Sequence, residues 1–224
     1  MLIRAAVCPH PPLLVPELAG AAAGELEGLR EACRRAIRPL LEADAGELVV
    51  VGTGPETRAF DSSAAGSFHP YGLELKVGQG EPVLPLSLTV GRWLLDGERR
   101  ARLQSVAFDA EPGACLELGR ELARDDVSLL VMGDGSACRD EKAPGYLDER
   151  AGPYDREAAR ALGEADAAAL GRLDPVLSGE LMAAGRAAWQ VLAGAASAGG
   201  GPLRGELLAD EAPYGVGYFV ATWT

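Results

Sequence analysis

Short apolar runs alternate along this chain with longer segments rich in alanine, leucine, glutamate and arginine. Runs of the first kind are typical of strands buried in a sheet, and segments of the second kind are typical of the helices that cover it. The predicted strands are residues 2–8, 47–53, 71–77, 102–110, 203–210 and 214–223. A further apolar strand within 127–136 runs into a Gly-Asp-Gly turn. The predicted helices are residues 17–43, as one long or broken helix, and 86–95, 112–124, 155–172 and 176–194.

This alternation predicts an α/β fold, a single domain of 224 residues in which helices flank a central, mostly parallel sheet. The strands expected to be neighbours in that sheet are residues 2–8, 47–53, 127–133 and 214–222. Loops that follow parallel strands meet at one edge of the sheet, where α/β proteins place their clefts. His10, Thr53 and Asp134 are therefore expected at the same edge.

Charge and hydropathy narrow the range of partners. The net charge is -12 and no cluster of lysine and arginine interrupts it, so neither nucleic acid nor an anionic membrane is an expected partner. No apolar stretch approaches the length of a membrane span, and the first residues lack the features of a signal peptide. We expect a cytoplasmic protein whose partner is a small molecule. The sequence is compatible with either a monomer or a homo-oligomer.

Most familiar catalytic motifs are absent. The segment GTGPET at 52–57 follows a predicted strand but lacks the lysine and hydroxyl residue of a phosphate-binding loop. The four cysteines form no CxxC pair, which favours reduced thiols over a zinc site or a disulfide framework. With two histidines in the chain, the histidine-containing metal site that remains open is a triad of two histidines and one carboxylate, the arrangement that holds non-haem Fe(II).

One of the two histidines, His10, lies among prolines in CPHPPLLVPE at 8–17. Proline has no backbone N–H and restricts the residue before it, so the chain leaves its first strand in a stiff turn. Two interpretations of His10 follow. Its imidazole faces a cleft and binds a ligand there, or it is a buried neutral side chain that hydrogen-bonds a backbone carbonyl.

Four segments in this order resemble the class III extradiol ring-cleavage dioxygenases, the LigB-like and Memo-like superfamily. CPHPPLLVPE resembles the segment with the first iron ligand, and GDGSACR at 133–139 resembles the Gly-Asp-Leu-Ser-His-Arg segment of that family. APGYLDERAGPYDREAARAL at 143–162 resembles its proline-rich continuation into a helix, and EAPYGVGYFVA at 211–221 resembles its final strand. The resemblance implies a LigB-like fold over nearly the whole chain.

The resemblance also implies that the usual metal site is degenerate. His10 matches the first metal ligand, but Thr53 stands where the family has a second histidine ligand, and a hydroxyl is a poor replacement for imidazole on Fe(II). Ala137 stands where the family has its acid/base histidine, and alanine transfers no proton. We therefore expect a cleft for a small, aromatic molecule, with Fe(II) held weakly or not at all.

An alternative keeps the chain an active Fe(II) dioxygenase. The loop that carries His69 would bring it beside His10, and Glu211 before the last strand would complete the triad. Against this, a loop histidine without rigid support seldom binds a metal, and His69 and Glu211 are equally well explained as solvated surface residues.

Several further residues are candidates for substrate contact. Asp134, Ser136 and the Thr53 hydroxyl lie near strand ends, where side chains contact either a substrate or nearby backbone amides. Tyr214 and Tyr218 would line the pocket or pack in the core. Cys138 would be reactive if the neighbouring Arg139 lowered its pKa.

Overall fold

The computed structural model describes residues 1–42, 46–96, 101–199 and 201–224. Within these residues the strands are β1 Leu2–Cys8, β2 Glu47–Gly54, β3 Arg58–Phe60, β4 Gly66–Ser67, β5 Lys76–Val77, β6 Arg102–Ala107, β7 Val127–Met132, β8 Gly205–Glu211 and β9 Tyr218–Trp223. The helices are α1 Pro16–Ala19, α2 Glu27–Ile37, α3 Leu86–Leu94, α4 Pro112–Leu122, α5 Ala151–Gly163, α6 Ala167–Gly171, α7 Pro175–Glu180 and α8 Arg186–Ala196.

The main sheet has the strand order β3-β6-β2-β7-β1-β9-β8. Its four central strands, β6, β2, β7 and β1, pair in parallel, whereas β3 pairs antiparallel with β6, β9 pairs antiparallel with β1, and β8 pairs antiparallel with β9. The predicted neighbours β2, β7, β1 and β9 are adjacent, so this prediction is confirmed. The fold is α/β with a central, mostly parallel sheet flanked by helices, as predicted.

Helices cover both faces of the sheet, which explains why its central strands are mostly apolar. In β2, Val49 and Val51 pack into a core formed with α4, α5, α6 and α8. Val50, between them, points to the opposite face and packs into a core formed with α2 and α3. Successive side chains of a strand alternate between faces, and here both faces are covered by apolar side chains.

Three predicted helices are broken. The stretch 155–172 forms α5 and α6, which are separated at Ala165, where φ is +53°. The stretch 176–194 forms α7 and α8, with Met182 at φ +54° between them. A left-handed residue ends a helix because it turns the chain away from the helix axis. The stretch 17–43 divides into α1, a 3₁₀ helix at Gly20–Leu26 and α2, and residue 43 lies outside the described residues.

The strand predicted over residues 71–77 is wrong in most of its length. A 3₁₀ helix occupies His69–Tyr71, and Gly72 follows with a left-handed φ of +88°. Such a turn interrupts an extended strand, so only β5 forms here, and it pairs with β4 in a separate two-stranded sheet. The strand prediction for 214–217 is also wrong, because β9 begins at residue 218. Strand β7 ends at Met132, directly before the predicted Gly-Asp-Gly turn.

Among the helices of the described residues, none combines the length and the apolar character that a membrane crossing requires.

Candidate functional site

A cavity of about 330 Å³ opens at the carboxyl edge of the parallel strands. Its polar lining residues are His10, Asp134, Tyr214 and Tyr218. The rest of its described wall is apolar and consists mainly of proline, leucine, valine, alanine and methionine side chains. A mostly apolar cavity with a few convergent polar groups is the usual form of a site for a small organic molecule.

Parallel pairing places His10 beside Asp134. Cys8, the last residue of β1, is level with Met132, the last residue of β7, and in each case the polar side chain is the second residue after the strand end. The backbone N–H of His10 donates a hydrogen bond of 2.7 Å to Oδ1 of Asp134. The expectation that the two residues share one edge of the sheet is therefore confirmed, and their backbones are tied together.

The imidazole of His10 has an unsatisfied nitrogen. Its side chain is 8% exposed, and Nδ1 is buried without a hydrogen-bond partner in the described structure. Oδ1 of Asp134 is 3.6 Å from Nδ1, which is beyond hydrogen-bonding distance. Buried polar atoms almost always have a partner, so this unpaired nitrogen of a cavity-lining residue marks a position where a ligand atom would gain a hydrogen bond.

Burial dominates the electrostatics of the cavity. It raises the pKa of Asp134, and the nearby His10 opposes this rise in part. Burial also raises the pKa of Tyr218, with smaller contributions from the negative charge of Asp134 and from Tyr214. The described lining includes Asp134 as its one carboxylate and no lysine or arginine, so the cavity favours a ligand without negative charge.

Replacing Asp134 by asparagine is expected to stabilise the protein at neutral pH. The folded-state pKa of Asp134 is raised, so the folded protein holds this proton more tightly than the unfolded chain does, and stability falls as pH rises through the window above about pH 4. Asparagine avoids that loss and can still accept the His10 N–H. Urea unfolding at pH 3 and pH 7 measures the effect, which is about 1.4 kcal/mol for each unit by which the pKa is raised.

In this comparison the stabilities of the two proteins should converge near pH 3, below the unfolded-state pKa of about 3.9, where Asp134 is protonated in both states. The exposed Asp210 provides the control, since Asp210→Asn removes a carboxylate outside the cavity and should not stabilise the protein at pH 7. An Asp134→Asn protein that is no more stable than the wild type at pH 7 would contradict the assignment of a buried, destabilised carboxylate.

Thr53 lies at the same edge but behind the cavity wall. Its hydroxyl donates to the carbonyl of Ala184 at 3.0 Å, and its own carbonyl accepts from the hydroxyl of Ser87 at 2.6 Å. Ala184, rather than Thr53, lines the cavity. Ala137 also lines it and contributes only a methyl group, while its backbone N–H donates to the carbonyl of Leu181 at 2.9 Å.

The structure does not bring His69 and Glu211 to His10. The His69 side chain is 71% exposed, and its Nε2 is 3.1 Å from Oε1 of Glu74. Glu211 is exposed at the end of β8, opposite Tyr218. Over the residues that the structure describes, no three histidine, cysteine, aspartate or glutamate side chains are close enough to hold a metal ion together. These donors therefore do not fit a three-ligand Fe(II) centre.

Ser136 faces the helical layer. Its backbone N–H and its hydroxyl both donate to Asp155 of α5, each at 2.8 Å, and Nη1 of Arg139 donates to the same carboxylate at 3.0 Å. Asp155 is fully buried and anchors the loop after β7 to α5. Sequence reasoning did not select Asp155, although an acidic residue on the buried face of a predicted helix is a usable signal.

The hypothesis of a reactive Cys138 is wrong. Its side chain is buried, and its sulfur is 3.6 Å from the carbonyl oxygen of Gly145 and 3.5 Å from that of Leu181, either of which can accept its one proton. Burial raises the pKa of this thiol, and the nearby charges of Asp148 and Asp155 raise it further. A raised pKa keeps the sulfur protonated, which makes it a poor nucleophile.

Comparison with known proteins adds support for the fold alone. No family model and no curated protein matches this chain. Among solved structures, the crystal structure of the uncharacterized protein JW3007 from Escherichia coli K12 superposes with a TM-score of 0.52. The two sequences are 15% identical, and the match covers 98% of each chain. This chain is thus similar to that protein in its α/β architecture, over nearly its whole length.

Proposed function

We propose that this chain is a class III extradiol dioxygenase-like protein that binds a small, uncharged phenol or catechol in the His10 cavity and lacks the usual catechol-cleaving site. The observation that carries the proposal is that His10 lines a mostly apolar cavity and that its buried Nδ1 has no partner in the described structure. A ligand that satisfies this atom removes the cost of an unpaired buried polar group.

The size and chemistry of the cavity support a hydroxylated aromatic ring. A volume of about 330 Å³ is at the lower end of the range for ligand pockets and leaves room for a single ring. A hydroxyl group both donates and accepts, so it pairs with His10 Nδ1 in either tautomer. A carboxylate on the ligand would approach Asp134 without a cation in the described lining to compensate it.

A larger cavity, about 590 Å³, lies between α5, α6 and α7 but offers weaker support for a ligand. Its Arg150 is paired with Asp148 and Glu180, and the hydroxyl of its Tyr154 bonds to Ser178 at 2.9 Å. Of the described residues on its wall, none has a buried polar atom that lacks a partner. We therefore assign ligand binding to the His10 cavity.

Titration with catechol, followed by ¹H–¹⁵N NMR, tests this proposal. Saturable shifts are expected at residues of the cavity, and His10→Ala should weaken binding by about tenfold or more, because one buried hydrogen bond is worth roughly 1.4 kcal/mol or more. His69→Ala is the matched control and should bind as the wild type does, since His69 is exposed and pairs with Glu74. 1,2-Dimethoxybenzene, which has no O–H donor, should bind more weakly than catechol.

Binding should be unchanged in the presence of a chelator, because the proposed contacts need no metal. The proposal fails if catechol causes no saturable shifts, if the shifts map away from the His10 cavity, or if His10→Ala binds as well as the wild type. Loss of binding on chelation would instead favour the alternative with His10, His69 and Glu211 as metal ligands.

A further inference from the structure

A second cavity, about 320 Å³, adjoins the His10 cavity and shares the residues Met182 and Ala184 with it. Arg186, the first residue of α8, lines this second cavity and is 3% exposed. Exposed side chains of Phe108 and Met182 form part of its rim. The cavity is thus an apolar pocket with one buried cation in its described wall.

The partners of Arg186 leave its charge uncompensated. Nη1 donates to the Ala110 carbonyl and to the Gln190 amide oxygen, and Nη2 donates to the Phe108 carbonyl at 2.6 Å. Nε is buried without a partner. Within the described part of the chain, every oxygen that Arg186 bonds is therefore neutral. Burying a cation without an anion is costly, and a bound anion would remove that cost.

The start of α8 is positive for a second, independent reason. This helix has 11 residues, its N-cap is Gly185 without a side-chain cap, and no acidic residue lies in its first turn. The first N–H groups of a helix and the helix dipole both favour a negative charge at this end. Arg186 and the helix terminus therefore present positive potential at the same place.

We propose that this second cavity binds the carboxylate of a small aromatic acid. The carboxylate would accept from Nε of Arg186 and lie at the start of α8, and the ring would contact Phe108 and Met182. Arginine suits a carboxylate because its planar N–H groups match the two oxygens. This site is separate from the catechol site, so either proposal can fail without the other.

The indole of Trp189 is a built-in reporter for this site. Trp189 lies in the first turn of α8, its Nε1 has no partner in the described structure, and its ring packs against Gly185. The indole of Trp223 is the internal reference. It donates to the carbonyl of Leu162 on α5 at 2.7 Å, away from α8. An anion bound at the start of α8 should shift the Trp189 indole signal and leave the Trp223 signal in place.

The experiment compares benzoate with benzamide in ¹H–¹⁵N NMR titrations of the wild-type protein. The two molecules have the same shape, so a site that recognises negative charge should bind benzoate about tenfold or more tightly than benzamide. Inorganic phosphate, which lacks a ring, should compete weakly. Arg186→Lys keeps the charge but loses the planar donor group, and it should weaken benzoate binding about tenfold. Arg124→Lys on an exposed residue is the control.

Three outcomes would overturn this proposal. Benzamide that binds as well as benzoate would show that charge is not recognised, and phosphate that competes as strongly would show that the apolar rim plays no part. Absence of a saturable Trp189 shift would show that the cavity is not a site. If Arg186→Lys does not fold, the comparison of benzoate with benzamide in the wild-type protein decides the question.

Discussion

Replacing Gly194 by alanine is expected to destabilise the fold by at least about 2–3 kcal/mol. Gly194 lies where α8 crosses α4, and a Cβ at this position would be 2.1 Å from the backbone oxygen of Leu116. The obstacle is main chain, so the helices would have to move apart. This cost outweighs the gain of roughly 1 kcal/mol that alanine brings to a helix interior. Urea or thermal unfolding measures it.

Two other glycines of the described chain provide the comparison. Gly119 of α4 faces α8 in the same crossing, where a Cβ would be 2.0 Å from the Val191 oxygen, so Gly119→Ala should be similarly harmful. Gly113 of α4 has open space around it, and Gly113→Ala should be neutral or slightly stabilising. Equal effects of Gly194→Ala and Gly113→Ala would contradict the close crossing of these helices.

The Fe(II)-reconstituted protein is expected to cleave catechol at well below about 1 s⁻¹, the low end of ordinary enzymes. Ring cleavage needs a group that takes and returns a proton, and such a group contributes about 10²–10⁴ in rate. Ala137 offers only a methyl group in the cavity, and the Thr53 hydroxyl is committed to the Ala184 carbonyl. To measure the rate, the protein is loaded with Fe(II) without oxygen, catechol is added, and air is admitted. Oxygen uptake and formation of the yellow ring-opened product then report turnover.

Two variants sharpen this experiment. The double variant Thr53→His with Ala137→His introduces the two histidines that the family resemblance implies at these positions. Catechol cleavage by the double variant but not by the wild type would support the matching of Thr53 and Ala137 to those family positions. Ala137→His alone is the control, because Ala137 lines the cavity whereas Thr53 lies behind its wall. Turnover above about 1 s⁻¹ in the wild type, abolished in His69→Ala, would contradict a degenerate site and establish the triad with His69.

The central part of the fold follows from local patterning. Apolar runs at 2–8, 47–53 and 127–133 correspond to adjacent parallel strands, because a strand covered on both faces has few positions for a polar side chain. The common edge of His10 and Asp134 follows in turn, because parallel neighbours end on the same side of the sheet. Helix ends were less predictable, since Ala165 and Met182 adopt left-handed φ values that their residue types do not signal.

The candidate site was predictable only in part, because some of its features depend on neighbouring residues and others on burial in the folded protein. The position of His10 follows from a strand and the prolines after it, which are features of neighbouring residues. Arg186 was not selected from the sequence, because an arginine at the start of a helix is ordinary until its burial is known. His69 appeared to be within reach of the cleft, but it pairs with Glu74 on its own loop.

The linear sequence alone therefore determines the strand pattern, the stiff turn at His10 and the edge that His10 shares with Asp134. These features depend on residue periodicity and on backbone restriction by proline, which act between residues near each other in the chain. Which groups become hydrogen-bond partners is decided only by the packing of the folded chain. The Thr53 hydroxyl bonds to Ala184, 131 residues away along the chain, and this contact places Thr53 behind the cavity wall. The unpartnered Nδ1 of His10 and the neutral surroundings of Arg186 arise in the same way, because burial brings together residues whose sequence separation carries no signal.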